Sequence, residues 1–314
     1  MTSATVVAGE VGPADATSEE GRLPGVPFAE RVAGHGRGKE GDVYFERGAR
    51  VRRGDVVLDV GANVGAFAAA AAERTEGDVT IHCFEPGPPV FETLEKNFRE
   101  HDLLRRTRHR LHRLALTSPE LDGQERTFYY FQRFPTDSTL DIEFKKEEFR
   151  RFFEKKGRAI QDALSGALGA PGRALGGVIR GSLDRLCSPN SRLGVWLAWR
   201  VTGMREVPCR LMSLERFLAE SGIAHVDLLK VDVEGAELDV LRGCGAAWPK
   251  VRSVAVETDR SSGRATLVEE LLRSQGFEIE SCVPHVFADR GDIAQVLMIA
   301  HRAEAATPAG RVSA

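Results

Sequence analysis

Cysteine is scarce and scattered in this 314-residue chain: Cys83, Cys187, Cys209, Cys244 and Cys282 form no CxxC pair, and no histidine cluster stands at metal-ligand spacing. That pattern gives no basis for a disulfide framework or a zinc site and reads as a reduced, cytoplasmic protein. Charge of one sign is lacking too. A formal net charge of −3 supplies no global attraction to nucleic acid or to an anionic membrane. Long apolar runs are missing: the longest, near residues 64–72, is too short to span a bilayer. The first 25 residues lack a basic start followed by an apolar block, so no export signal is expected. No internal repeat is visible.

What is present is an apolar share of 42%, enough to build one large α/β domain with additions or two smaller domains. Residues 1–37, rich in Ala, Gly, Ser, Pro and acids without sustained periodicity, read as a flexible arm, and residues 303–314 as a flexible tail. Between them, strand and helix patterns alternate.

The first strand carries the most information. Val56-Val57-Leu58-Asp59-Val60 reads as a buried parallel strand, Gly61-Ala62-Asn63-Val64-Gly65 as the turn after it, and residues 66–74 as a helix. A turn cradling a pyrophosphate offers bare amides at a helix N-terminus, and a carboxylate beside them would repel the ligand. Asp59 therefore points to a ligand that carries positive charge. S-adenosylmethionine (SAM) fits: it has an ammonium, a sulfonium and no phosphate. A second strand over residues 79–85 ends in Glu85-Pro86, an acid placed to accept both hydroxyls of a ribose, before a helix over 88–100. A nicotinamide-binding sheet also has such an acid, but the first turn lacks GxGxxG spacing, which places that alternative well behind.

A third strand is expected near residues 112–116, and an extended piece over 126–131. The run Leu104-Arg105-Arg106-Thr107-Arg108-His109-Arg110-Leu111-His112-Arg113 has no interleaved aromatics and reads as a solvated edge before that strand. Such a basic edge is also placed to steer docking of an acidic carrier protein. Residues 141–205 exceed what a minimal doubly wound domain needs. There Ile142, Phe149, Phe152 and Phe153 share a helical face, while Lys145, Lys146, Glu147, Glu148, Arg150 and Arg151 fall on the rest. Helical spacing continues through a Pro171-Gly172 break, so the segment reads as a helical insertion or lid.

The alternation resumes at 207–212, followed by a helix that Ser213 caps. The strand 226–231 then delivers Asp232 and Glu234 to its carboxyl end, where ligands bind in open α/β sheets. Carboxylates there can bind a divalent metal, orient an acceptor hydroxyl or take its proton. Glu237, already inside the next helix, reads as a complement to the helix dipole. His225 and His285 are outside candidates for a base. Two final strands, near 277–283 and 294–300, form an antiparallel end to a mixed sheet.

Together, Leu58-Asp59-Val60-Gly61-Ala62-Asn63-Val64-Gly65, Phe84-Glu85-Pro86 and Leu229-Lys230-Val231-Asp232-Val233-Glu234-Gly235-Ala236-Glu237 with Val240-Leu241-Arg242-Gly243 resemble the FkbM family of SAM-dependent methyltransferases. The resemblance spans about residues 44–299. It implies a class I methyltransferase fold: a Rossmann-like, mixed seven-stranded α/β sheet with helices on both faces, here over residues 38–302 with the added insertion. It also implies that Asp59, Gly61, Ala62, Asn63 and Gly65 wrap the methionyl end of the cofactor, that Glu85 and Pro86 meet the ribose, and that adenine lies near Ala115 and Leu116. Tyr44 is placed like aromatics that close over the cofactor in relatives. The segment Phe128-Tyr129-Tyr130-Phe131 through Ser138-Thr139-Leu140 is similar to members from polyketide and nonribosomal peptide pathways.

The function expected is O-methylation of a hydroxyl or carboxyl on a small polyketide, peptide or sugar acceptor, free or tethered to a carrier protein, with Asp232 and Glu234 catalytic. No nucleic acid or membrane partner is expected; a homo-oligomer is open, as is the use of a divalent metal. Methylation of nitrogen or carbon, or a SAM-binding scaffold role without catalysis, are the competing readings.

Overall fold

The computed structural model describes residues 41–133, 135–186, 200, 202–260, 262–284 and 295–302. The expected arm and tail, and His285, lie outside the described residues. Helix α1 (Asp42–Glu46) precedes β1 (Val56–Val60), α2 (Ala66–Arg74), β2 (Thr80–Phe84), α3 (Pro88–Glu100), β3 (Arg108–His112), β4 (Ala115–Thr117) and β5 (Glu125–Phe131). The long α4 (Ile142–Leu186) leads to β6 (Met204–Ser213), α5 (Leu214–Ser221), β7 (Leu228–Val231), α6 (Glu237–Arg242), β8 (Ser253–Asp259), α7 (Arg264–Ser274), β9 (Phe277–Pro284) and β10 (Gln295–Arg302).

Seven strands form one sheet in the order β3-β2-β1-β7-β8-β10-β9, and β4-β6-β5 form a smaller one. The β1–β2, β1–β7, β2–β3 and β7–β8 pairs are parallel, while β10 runs antiparallel to both β8 and β9. Successive side chains on a strand point to opposite faces, and both faces are apolar here. Leu58, Val60, Leu229, Val231, Val254 and Val256 pack on α5, α6 and α7. Val57, Ile81, Leu228 and Ala255 pack on α2 and α3. The near-continuous apolar runs of β1 and β7 follow from that double burial, and truncating a buried leucine such as Leu58 would cost about 2–5 kcal/mol. The expected mixed seven-stranded sheet of a class I methyltransferase is the observed one.

The order reverses between β2-β1 and β7-β8, so the carboxyl ends of these strands open the crevice where open α/β sheets bind ligands. Among the described residues no helix is long and apolar enough to cross a membrane.

Three local expectations are corrected. The third strand is Arg108–His112, so most of the basic run is the exposed edge strand itself rather than an edge before it, with Leu104–Arg106 as a short helical turn leading into it. Its arginines tolerate that place because an edge strand faces water, with Arg108 paired to Asp78; in the turn before it Arg105 pairs with Asp102. Ala115 and Leu116 instead belong to β4 of the small sheet, parallel to β6. The extended piece near 126–131 is present as β5, antiparallel to β6. Within the insertion, Lys145 was expected on the polar face but is only 1% exposed. It points into the protein because three carboxylates wait for it there.

The insertion itself doubles back. Gly169 leaves the helical region at φ 62° and ψ −130°, two residues before Pro171. The second arm returns so closely that a Cβ on Gly176 would sit 2.7 Å from the Gln161 Cα, and Arg180 donates to the Gln161 side chain at 3.2 Å.

Candidate active site

The turn after β1 is shaped by what touches it. Gly61 has φ +77°, and a Cβ there would sit 1.8 Å from the Asp232 carbonyl oxygen, so the β1 and β7 turns approach through a gap only glycine leaves open. The Gly61 and Ala62 amides donate to the Phe84 carbonyl, Asn63 adopts φ 48°, and Gly65 caps α2 in the left-handed region. These backbone bonds bind the turn to the tip of β2.

Asp59 is fully buried, and its nearest cation is internal. Lys230 Nζ lies 3.1 Å from Asp59 Oδ1 and 3.6 Å from Asp232 Oδ2, and it donates to the Gly61 carbonyl at 2.8 Å. Burial raises the Asp59 pKa while Lys230 lowers it, with the balance upward. Burial pulls the Lys230 ammonium down, but Asp59 and Asp232 lift it above its ordinary value. The carboxylate therefore does not stand bare at the turn: Lys230 offsets its charge, and neither Asp59 oxygen accepts a well-directed hydrogen bond from the described residues.

Glu85, 7% exposed, accepts from the Asn63 amide at 3.1 Å and the Gly87 amide at 2.8 Å. Burial pushes its pKa up to about 7 against those two bonds. Each oxygen has a further lone pair for a ligand hydroxyl. Pro86, half-buried, follows at the head of this loop. Beneath it, Ala115 packs with Val90, Phe128 and Tyr130. Leu116 turns the other way, into the core with Leu214 and Val240. Among the described residues, the buried Tyr130 hydroxyl has no hydrogen-bond partner.

Tyr44 comes from α1 to the tips of β7 and β8. Its hydroxyl donates to Asp232 at 3.0 Å and lies 3.4 Å from Glu257, with the ring edge-on to Phe67. Burial, then Asp232 and Glu257, raise its pKa well above the phenol range.

Past β7 the chain makes a strained turn. Glu234 has φ 49° and Gly235 φ 104°. A non-glycine residue in the left-handed region costs about 1–3 kcal/mol and persists only where its surroundings hold it. Here Thr139 donates to the Glu234 carbonyl at 2.7 Å, Arg264 donates to the Gly235 carbonyl, and Lys145 donates to the Glu234 carboxylate at 2.9 Å. Lys145 also lies 2.7 Å from Glu148 and 3.5 Å from Asp137. Burial pushes Glu234 up to about 8, with Lys145 opposing. The base of the insertion is thus locked to the β7 tip, with Arg151 on Asp259 at 3.2 Å and Arg264 on Asp141 at 2.8 Å. Glu237 accepts the Gly235 amide at 2.7 Å, a helix-start role as expected.

Asp232 and Glu234 line one cleft of about 230 Å³ together with Glu237, Glu257 and Asp259, between Phe144 and Gln295. His225, by contrast, precedes the amino end of β7, exposed and 3.3 Å from Asp227, at the end of the strands opposite the cleft. It is removed from the candidates. Among the described residues no group of three or more His, Cys, Asp or Glu side chains is arranged to hold a metal ion. Lys230, Lys145, Glu257 and Asp259 were not singled out from sequence. The acids ending the apolar run of β8, Val254-Ala255-Val256-Glu257-Thr258-Asp259, repeat the signature that flagged Glu85 and Asp232 and were the missed signal. The lysines carried none, because only the fold shows which carboxylates surround them.

These residues suit an aminoacyl sulfonium nucleoside. Carboxylates end β1, β2, β7 and β8, the Glu85 oxygens keep open acceptor positions, and the orphaned Tyr130 hydroxyl stands beside the same loop. A diphosphate would meet that acidic set unfavourably.

Residues 59–279 match the model of the methyltransferase FkbM domain. The chain is 32% identical over 246 residues to the 31-O-demethyl-FK506 methyltransferase FkbM of Streptomyces tacrolimicus, covering 78% of this chain and 81% of that one. It is 29% identical over 232 residues to the methyltransferase sdnD of Sordaria araneosa, covering 71% and 73%. A crystal structure of a methyltransferase FkbM from Methylobacillus flagellatus aligns at 14% identity and a TM-score of 0.46, over 82% of this chain and 47% of that one; the assignment does not rest on it. Family match and strand order agree: the chain belongs to the FkbM family of SAM-dependent methyltransferases.

Proposed function

We propose that this methyltransferase acts on oxygen, methylating a hydroxyl or carboxyl of a small polyketide, peptide or sugar acceptor, free or carrier-bound. The observation that carries the reading is the convergence of Asp232 and Glu234 on one cleft beside the Gly61–Asp232 contact, where the two ligand-binding turns meet. The Streptomyces relative, named for a 31-O-demethyl substrate, supports it.

SAM supplies the methyl group on a sulfonium, which is transferred in line. Gly61, Ala62, Asn63 and Gly65 would hold the methionyl end, with Asp59 behind them paired to Lys230, Glu85 and Pro86 would meet the ribose, and Ala115 would stand on the adenine side. The protein's gain comes from positioning and from excluding water. The Tyr44 hydroxyl and the Lys230 ammonium fix the orientation of Asp232. Asp232 is placed to take the acceptor hydroxyl proton and to pass it to solvent through its partly exposed face. Glu234, held by Lys145, lines the opposite side of the acceptor. The insertion base keeps water from that wall.

The test is Asp232→Asn, assayed with labelled SAM against metabolite extracts of the source organism. Turnover is expected to fall about 10²–10⁴-fold while SAM affinity stays within roughly threefold. Unchanged turnover would remove Asp232 from the reaction, and a methyl carbon resonance typical of N–CH3 would replace oxygen by nitrogen.

A further inference from the structure

The small sheet presses one face of β5 against the loop that carries Glu85. Side chains alternate along a strand. Phe128 and Tyr130 pack with Val90, Ala115 and the Val64 of the first turn, while Phe131, on the opposite face, meets the Phe149 ring of the insertion. A Cβ on Gly87 would sit 3.0 Å from Glu85 Oε1, 3.3 Å from the Phe128 ring and 3.7 Å from the Tyr130 ring, so this glycine is where the acid and both rings converge. Tyr130 is only 1% exposed, yet no described residue bonds its hydroxyl. Burial, then the Glu85 carboxylate, raises its pKa above the phenol range, with Arg205 opposing, so the hydroxyl keeps its proton and is a donor. A buried donor without a partner is costly, and such groups are rare unless a ligand or water completes them.

We propose that Tyr130 is a cofactor-binding residue whose hydroxyl donates to the nucleoside of SAM beside the ribose that Glu85 meets, so that the small sheet forms the outer wall of the cofactor site. This rests on reading Glu85 as the ribose acid. Two features select the nucleoside. The ring shares its apolar surroundings, Val90, Ala115 and Phe128, with the wall assigned above to the adenine side, and such surroundings suit a purine better than a charged aminoacyl end. The donor also complements Glu85. The carboxylate accepts from ribose hydroxyls, whereas the phenol gives its proton to a ribose oxygen or a purine nitrogen, the acceptors that a nucleoside also presents.

Tyr130→Phe removes only the hydroxyl. Calorimetric titration of the full chain with S-adenosylhomocysteine should give a dissociation constant about three- to tenfold above the parent's. The same factor is expected for 5′-methylthioadenosine, which keeps the nucleoside and lacks the aminoacyl end. The unliganded variant should unfold at the parent's temperature or above it, because no internal bond is lost and a desolvated hydroxyl is removed. The rise in midpoint that S-adenosylhomocysteine produces should shrink. A structural tyrosine would do the reverse, and a lower unliganded midpoint with intact affinity overturns the proposal. Equal affinity of variant and parent overturns it too, as does a loss confined to S-adenosylhomocysteine, which would move the contact to the aminoacyl end. A parent that ignores S-adenosylhomocysteine would end the cofactor reading along with this one. Glu85→Gln binding like the parent, with Tyr130→Phe still weakened, would strike the ribose assignment and keep the Tyr130 contact, so the two failures read out separately.

Discussion

Lys230→Met removes the cation that faces Asp59, and the structure sets how much this should cost. Asp59 has no exposed surface, Lys230 Nζ is 3.1 Å away, and the same ammonium holds the Gly61 carbonyl at 2.8 Å. Leaving one member of a buried pair uncompensated costs about 3–5 kcal/mol. At about 2–4 °C per kcal/mol for a domain of this size, the unfolding midpoint should fall by roughly 10 °C. The loss should depend on pH. Burial already raises the Asp59 pKa and Lys230 lowers it, so the variant's carboxyl rises further. A carboxyl whose folded-state pKa exceeds its unfolded value contributes most below the unfolded pKa, near 4, and that contribution is lost as pH rises through the folded value. The deficit should therefore be small near about pH 5 and large near about pH 8. Adding Asp59→Asn removes the stranded charge and should recover much of it. Thermal and urea unfolding of the single and double variants at both pH values is the assay. A single variant as stable as the parent at the higher pH, or a double variant no better than the single, would refute the pairing.

Glu85→Gln exchanges one acceptor for a donor facing two backbone amides, and should weaken S-adenosylhomocysteine binding roughly tenfold or more by calorimetry. Because the parent carboxyl stands at about 7 in the fold, its stabilisation is fully present below the unfolded value, near 4.5, and is lost as pH rises through about 7. The variant should flatten that part of the pH–stability curve, by about 3 kcal/mol at most. Lys145→Met removes the group that holds the Glu234 pKa down at about 8 against burial, so any limb of the pH–rate profile set by Glu234 should move upward, whereas Lys145→Arg should keep it near its place. An unmoved profile would deny Glu234 a titrating role.

Much of this architecture was legible in the sequence because apolar runs ending in acids mark strand tips. The helices over 66–74 and 88–100 and the cap at Ser213 fall where periodicity and capping chemistry put them. Strand β3 was misplaced because its arginines resemble a solvated loop, and an edge strand with one open side tolerates that composition. Lys145 looked like a surface lysine for a related reason: helical spacing tells polar from apolar faces but not which polar residue meets Asp137 and Glu148 nearby and Glu234 across 89 residues of chain. Asp59 was legible as an important acid but not as half of an internal pair. Its partner lies in β7, and only the β1–β7 register, which aligns Asp59 with Lys230, brings them together.

The central claim is that acid-tipped strands, balanced by a buried lysine, form a pocket for a cationic aminoacyl nucleoside. Calorimetric titration of the full chain with S-adenosylhomocysteine and, separately, with NADH tests it most directly. Saturable binding of the first and no heat from the second is predicted; uptake of the dinucleotide with indifference to S-adenosylhomocysteine and SAM would contradict it.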